Sequence, residues 1–359
     1  MAGRKRRGWG RKILVGAAAM TMLCSLQAGA VEDYGYGYGF LEWKGSVFAG
    51  DGEKIYAISD PGLEWNTISY SPPGGDFFAR GSMVYYVDQD NGYQFLAVYD
   101  MNRDENESLK YVEDGTSLLG ENNGKLYYLE QDYGTEYYEG RVLKSYDLAT
   151  EEETALAGEV GTGTYWNGTL ILTGMTLDAG PVPIIMVDVN EQPGLVDENC
   201  SYSFYAGEEG FYYWRYNMTG DTSWDGAELC SIDGNGRRTI ASLEGEYITV
   251  AMVGAAEGLL YFSVWDGNEN AFMGVDLDSG KVFTANRPEQ TSIPALFKDG
   301  EDVYWYSADS HTIYTWTAAG FQSAGTIPSD GRLLGICDGY TYFVRSSGMG
   351  DELMLAPLG

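Results

Sequence analysis

"NNGKLYYLEQD" occupies residues 122–132, a turn signal running into a dense aromatic and aliphatic stretch. Close variants recur: "RGSMVYYVDQD" from Arg80, "EGFYYWRYN" from Glu209, "EGLLYFSVW" from Glu257 and "DGYTYFVRS" from Asp338. A polar residue, then glycine, then an apolar run is found at Gly45, Gly81, Gly124, Gly168, Gly210, Gly258, Gly300 and Gly339, at intervals of 36 to 48 residues. A second marker keeps step with the first. Short apolar runs end in an acid at Asp60, Asp100, Asp147, Asp188, Asp233 and Asp276, at intervals of 40 to 47 residues. Two markers drifting together identify an internal repeat.

One period reads as strand, glycine turn, strand, loop, strand, Asp turn, strand. Val, Ile, Tyr, Phe and Thr fill the runs, and Gly, Asn and Asp fill the breaks. Four short antiparallel strands at this period describe a propeller blade. The expected fold is therefore all-β, a β-propeller of four-stranded antiparallel blades. Eight copies predict eight blades, with a seven-bladed ring plus an N-terminal hairpin as the alternative. The second strand of each copy is apolar throughout because it is expected to be covered on both faces. After the last third strand the chain stops, so either the final outer strand is missing or residues 31–43 supply it.

The first 30 residues read separately. "RKRRGWGRK" is a basic start, "ILVGAAAMTMLCSL" an apolar run too short to span a bilayer, and "AGA" (28–30) a small-x-small cleavage site. This predicts a signal peptide over 1–30, with lipidation at Cys24 or a twin-arginine reading of Arg6-Arg7 as weaker alternatives. A Gly/Tyr leader over 31–37 ("YGYGYG" at 34–39) and a single propeller domain over 38–359 follow. The expected location is extracytoplasmic, secreted or at the cell surface, and the expected state a monomer with no transmembrane segment after processing.

Charge prunes the functions. The chain has 22 Lys+Arg against 53 Asp+Glu, and all the basic residues of the first 30 positions leave with the signal. Such a field repels nucleic acid and anionic lipid. His311 is the only histidine, so a multi-histidine zinc site is excluded and a Ser-His-Asp triad would need His311 itself. Of the four cysteines, Cys200, Cys230 and Cys337 remain after processing, and a Cys200–Cys230 bridge is left open. "NRDENESLKYVE" (102–113) has Glu107 where a calcium loop needs glycine, and reads as a turn and outer strand. No metal site and no cofactor is read from these residues.

The whole processed chain resembles the extracytoplasmic bacterial propellers of the TolB-like and quinoprotein-like groups. "GVDLDSGKVF" (274–283) is similar to the turn of the eight-bladed quinoprotein type at Asp276, Gly280 and Lys281, without the tryptophan expected after it. The resemblance implies architecture, and no catalytic residue is carried over.

Two functions compete. The first is a non-catalytic binding propeller that holds a protein, peptide or glycan on the face of the long second-to-third-strand loops. These are "DYGTEYYEG" (132–140), "TGMTLDAGP" (173–181) and "NMTGDTSWDG" (217–226), with the similar but shorter "WDGNEN" (265–270). The candidate ligand-binding residues are Tyr133, Tyr137, Tyr138, Asp221, Trp224, Asp225, Trp265, Asp266 and His311, because exposed aromatics beside carboxylates stack on sugars or bind cationic groups. The alternative is a carbohydrate-active enzyme with two carboxylates near the axis, drawn from Asp76, Glu121, Glu208 and Asp338.

Overall fold

The computed structural model describes residues 34–358 except 52–53, 62–64, 71–75, 132–139, 176–179, 189, 208–209, 234–235, 290–291, 318 and 348–349. Every regular element among the described residues is a β-strand. No helix among them is long and apolar enough to cross a membrane.

The chain opens with β1 (Tyr34–Tyr38). A four-stranded sheet follows, made of β2 (Phe40–Trp43), β3 (Ser46–Gly50), β4 (Lys54–Ile58) and β5 (Asn66–Tyr70). The next contains β6 (Asp76–Arg80), β7 (Met83–Asp90), β8 (Tyr93–Asp100) and β9 (Glu105–Val112), with β1 added beside β6. Ten strands then share one sheet in chain order. They are β10 (Ser117–Asn122), β11 (Lys125–Gln131), β12 (Arg141–Asp147), β13 (Glu153–Trp166), β14 (Thr169–Gly174), β15 (Val182–Val187), β16 (Pro193–Gly207), β17 (Gly210–Gly220), β18 (Ser223–Asp233) and β19 (Gly236–Glu244). Four-stranded sheets follow from β20 (Thr249–Ala256), β21 (Leu259–Trp265), β22 (Asn270–Asp276) and β23 (Val282–Thr284), and from β24 (Ala295–Asp299), β25 (Asp302–Ser307), β26 (Thr312–Thr317) and β27 (Gly320–Thr326). The last sheet has three strands, β28 (Gly331–Cys337), β29 (Tyr340–Ser347) and β30 (Gly350–Pro357).

Separate four-stranded sheets were expected throughout, and three of the six have that form. The ten-stranded sheet departs from it because β13 and β16 each do two jobs. The first part of β13 pairs with β12 and its end, from Val160, pairs with β14. Likewise β16 pairs with β15 up to Cys200 and with β17 beyond it. Register shifts at Val160/Thr162 and Cys200/Phe204 let each strand bend between its two partners.

The first strands of successive meanders touch in order. β2 contacts β6, β6 contacts β10, and the series continues through β13, β16, β20 and β24 to β28, which returns to β2. β2, which lies within residues 31–43, closes the row by packing Phe40 against Gly335 and Tyr342, while the last sheet has three strands among the described residues. Residues 34–37, read from the sequence as part of a leader over 31–37, belong to β1, which pairs with β6 from Tyr34↔Arg80 to Tyr38↔Asp76.

Both sequence markers have physical causes. At Lys44-Gly45, Asn123-Gly124, Asn167-Gly168, Glu257-Gly258 and Asp338-Gly339 both residues have positive φ, the two-residue turn that matches strand twist. The marker acids cap the later turn: Asp147 accepts from the amides of Ala149 and Thr150, and Asp276 from the amide of Ser279. Second strands are buried over Val84–Val87 and Leu126–Glu130, whereas β21 alternates buried and half-buried positions.

Gly124 isolates the backbone effect. Its φ is +77°, and an added Cβ would meet nothing within 4 Å. Gly124→Val should therefore cost about 1–2 kcal/mol from the left-handed conformation alone. Gly124→Asn should cost less, because Asn tolerates that region. Thermal melts of the three proteins check this order, and equal midpoints would mean that the turn relaxes.

Cys200 and Cys230 are buried and free. They sit on the two strands flanking β17, opposite Arg215 and Tyr213. With a strand between them, they are too far apart to bridge.

Candidate functional site

In an antiparallel meander the second-to-third connections all lie at one end. Asp221, Trp224, Asp225, Trp265, Asp266 and His311 belong to that end in three consecutive meanders, whereas Tyr133, Tyr137 and Tyr138 lie outside the described residues. The expected long loop 217–226 is replaced by strand. β17 and β18 pair up to Gly220↔Ser223, so only Asp221 and Thr222 form the turn.

Trp224 was expected to stand free, and it does not. The indole is half-buried, and its Nε1–H donates to the Ile248 carbonyl at 2.7 Å. The ring lies 5.0 Å from Tyr216 and 5.5 Å from Tyr247. Its backbone carbonyl accepts from the Tyr247 amide. Tyr247 itself is 55% exposed. The next residues along, Ile248 and Thr249, lead to Trp265, which pairs with Thr249 and is 45% exposed. Trp224 thus supports a corner whose accessible rings are Tyr247 and Trp265. Tyr247 was missed in the sequence because it sits between repeats, in no expected loop.

The acids of this end are exposed but partly occupied. Asp266 accepts from the amides of Asn268 and Glu269 at 2.8 and 2.9 Å, and these bonds hold its carboxyl below the usual range. The Asp225 carbonyl accepts from Gly245. His311 has a φ of 54°, and its Nδ1 lies 3.2 Å from the Tyr306 hydroxyl on its own hairpin.

At the opposite end, Glu121 and Asp338, two of the four acids considered for catalysis, take part in hydrogen bonds that join neighbouring meanders. Glu121 accepts from Arg80 at 2.9 Å and from the Gly124 amide at 2.6 Å. Asp338 sits in a left-handed turn, and its amide donates to Asp299 at 3.1 Å. Asp76 begins β6 opposite Tyr38, and Glu208 is outside the described residues. A stitching pattern emerges here that the sequence did not disclose. The Trp43 indole donates to the Gly81 carbonyl, Arg80 to the Glu121 carbonyl, and the Trp166 indole to the Gly207 carbonyl. Asp299 accepts from Asp338 and Gly339. Each bond joins the end of one first strand to the matching end or turn in the next meander, about one repeat away.

Among the described residues one group has metal-ligand chemistry. Glu42, Asp299 and Cys337 place a donor atom each within 4.8 Å of one another, at the ends of β2, β24 and β28. Burial, then the neighbouring Glu42, pushes the Cys337 thiol well above its ordinary range, so it is a thiol and not a thiolate. The Asp299 oxygens already serve turn amides. The group reads as part of the closure between β28 and β2.

No protein-family description matches this chain, and no curated protein matches it either. Solved structures do. A prolyl endopeptidase is similar over 94% of this chain and 56% of its own length, at 13% identity and a TM-score of 0.54. The chain therefore spans little more than half of that enzyme. Apo AztD from Citrobacter koseri is similar over 90% of this chain and 92% of its own, at 12% identity and a TM-score of 0.49. The β-propeller domain of the trilobed protease from Pyrococcus furiosus covers 78% of this chain and 93% of its own, at 10% identity and a TM-score of 0.48. Identities this low speak to fold alone. The closed row of antiparallel meanders itself describes a β-propeller.

Proposed function

We propose that this chain is an exported, non-catalytic β-propeller of eight blades spanning residues 38–359, which binds a protein, peptide or glycan through the end carrying its second-to-third-strand connections. The blade number rests on the eight first strands that touch in order, and the export on the segment 1–30. The resemblance to TolB-like and quinoprotein-like extracytoplasmic propellers, and the monomeric state, belong to the same reading. The binding role is carried by one observation: Tyr247 and Trp265 present exposed rings at one corner, held from behind by the hydrogen-bonded Trp224. Amphipathic rings on a rigid support are the usual anchors of a recognition surface.

The test separates support from contact. Trp265→Ala should change stability by no more than about 0.5 kcal/mol, and should weaken capture of the ligand by at least about 1 kcal/mol. Trp224→Ala should instead destabilise the protein by about 2 kcal/mol, through its lost ring contacts and its bond to Ile248. Urea melts and a glycan array run beside a pull-down would measure both. Unchanged capture by the Trp265 variant would remove this corner from the site. Hydrolysis of a glycan by the purified protein would favour the carboxylate alternative.

A further inference from the structure

A cleft of about 350 Å³ opens between the sheet β20–β23 and the sheet β24–β27. It lies at the end opposite the Tyr247–Trp265 corner, since Glu257 belongs to the first-to-second turn after β20, Glu301 to the corresponding turn after β24, and Asp302 opens β25. Its floor is Trp305, only 4% exposed. That indole is fixed edge-on by Tyr261 at 4.7 Å and by Phe321 at 6.1 Å. Trp316 forms one wall, 53% exposed and edge-on to Phe321 at 4.6 Å. Phe283 and Tyr261 line the other side.

The charges are one-sided. The ionisable carboxyl groups of the lining are Glu257, Glu301 and Asp302, all exposed at the mouth, and no Lys, Arg or His lines the cleft. The whole chain carries a formal net charge of −31, so the surrounding field adds to theirs. Aromatic faces attract cations through the ring quadrupole, most strongly at tryptophan. A bare ammonium is strongly hydrated and would lose that water against rings. An alkylated ammonium is weakly hydrated, so its methyl groups can rest on the rings while acids at the rim answer its charge.

We propose that this cleft binds a small organic cation with an alkylated ammonium head, seated among Trp305, Trp316 and Phe321, with Glu257, Glu301 and Asp302 supplying the counter-charge. The site is separate from the Tyr247–Trp265 corner and does not depend on the function proposed for it.

The experiment titrates the full chain in 150 mM salt with choline and with 3,3-dimethylbutan-1-ol, its neutral isostere, following tryptophan fluorescence and heat. Choline should bind at least tenfold more tightly than the neutral alcohol. Trp316→Ala, an exposed position, should weaken choline at least tenfold while leaving the melting temperature unchanged. Asp302→Asn should weaken it severalfold and flatten its dependence on salt, and Trp265→Ala should leave it unaltered. Equal binding of the alcohol would overturn the proposal, as would no choline binding at millimolar concentration or full affinity in the Trp316 variant. Preference for maltose, or binding of phosphatidylcholine vesicles without free choline, would overturn it too.

Discussion

Replacing Trp214 by alanine should lower the unfolding free energy by about 3–5 kcal/mol, the range for truncating a fully buried large aromatic. Trp214 is wholly inaccessible in β17, and its ring lies 4.8 Å from Phe262 in β21. It therefore fills the space between two neighbouring sheets, and no side chain around it can collapse without opening one of them. The indole N–H has no hydrogen-bond partner among the described residues. That makes Trp214→Phe informative. It keeps a ring against Phe262 and removes an unpaired buried donor, so its cost should stay below about 1.5 kcal/mol. Urea unfolding of both variants measures the difference. Equal losses would mean that a smaller ring recovers nothing and that the fit of the whole indole decides, and a small loss for alanine would place the inter-sheet packing elsewhere.

The second large effect belongs to the closure. Gly335→Val should destabilise the protein by about 2–3 kcal/mol, at the upper end for overpacking. A Cβ built on Gly335 would come within 2.4–2.5 Å of the Phe40 ring, and real Cβ atoms do not approach so closely. Phe40 belongs to β2, Gly335 to β28, and the ring also packs on Tyr342 at 5.2 Å. Moving Phe40 therefore loosens the contact between the first and last sheets. Proteolysis should begin within 331–357 in the variant, and Phe40→Ala should recover part of the loss when combined with it, because neighbouring substitutions couple. Additive losses in the double variant would show that Phe40 and Gly335 act apart.

The repeat made the strands legible. Glycine turns and capping acids depend on neighbours along the chain, so the sequence shows them directly. What it concealed depends on contacts one repeat or more away. Gly120, Gly254 and Gly335 each follow a register shift in a first strand and each pair with a tyrosine, at Tyr127, Tyr261 and Tyr342. Side chains of adjoining meanders approach these glycines: Tyr165 at Gly120, Leu296 at Gly254 and Phe40 at Gly335. The seven-residue Gly-to-Tyr spacing was readable, but its reason lies in the adjoining meander. Trp224 was misjudged for a similar cause. A tryptophan beside Asp and Gly looks exposed until the chain returns twenty-odd residues later to offer the Ile248 carbonyl. The Trp305 cleft joins residues from 256 to 321, each ordinary within its own repeat.

The doubled use of β13 and β16 has a mechanical consequence. Where two sheets merely touch, a small tilt between them slides side chains past one another and leaves every backbone bond intact. Across residues 117–244 no such slip plane exists at the two junctions, because the same strand ends one meander and begins the next. Tilting there would have to break rungs of a continuous ladder. Low-frequency breathing of the ring should therefore concentrate at the junctions that no strand crosses, which excludes also the one where β1 pairs with β6 and runs on into β2. The cleft between β20–β23 and β24–β27 and the closure of β28 on β2 both belong to that compliant arc. The stiff arc, by contrast, serves as its frame.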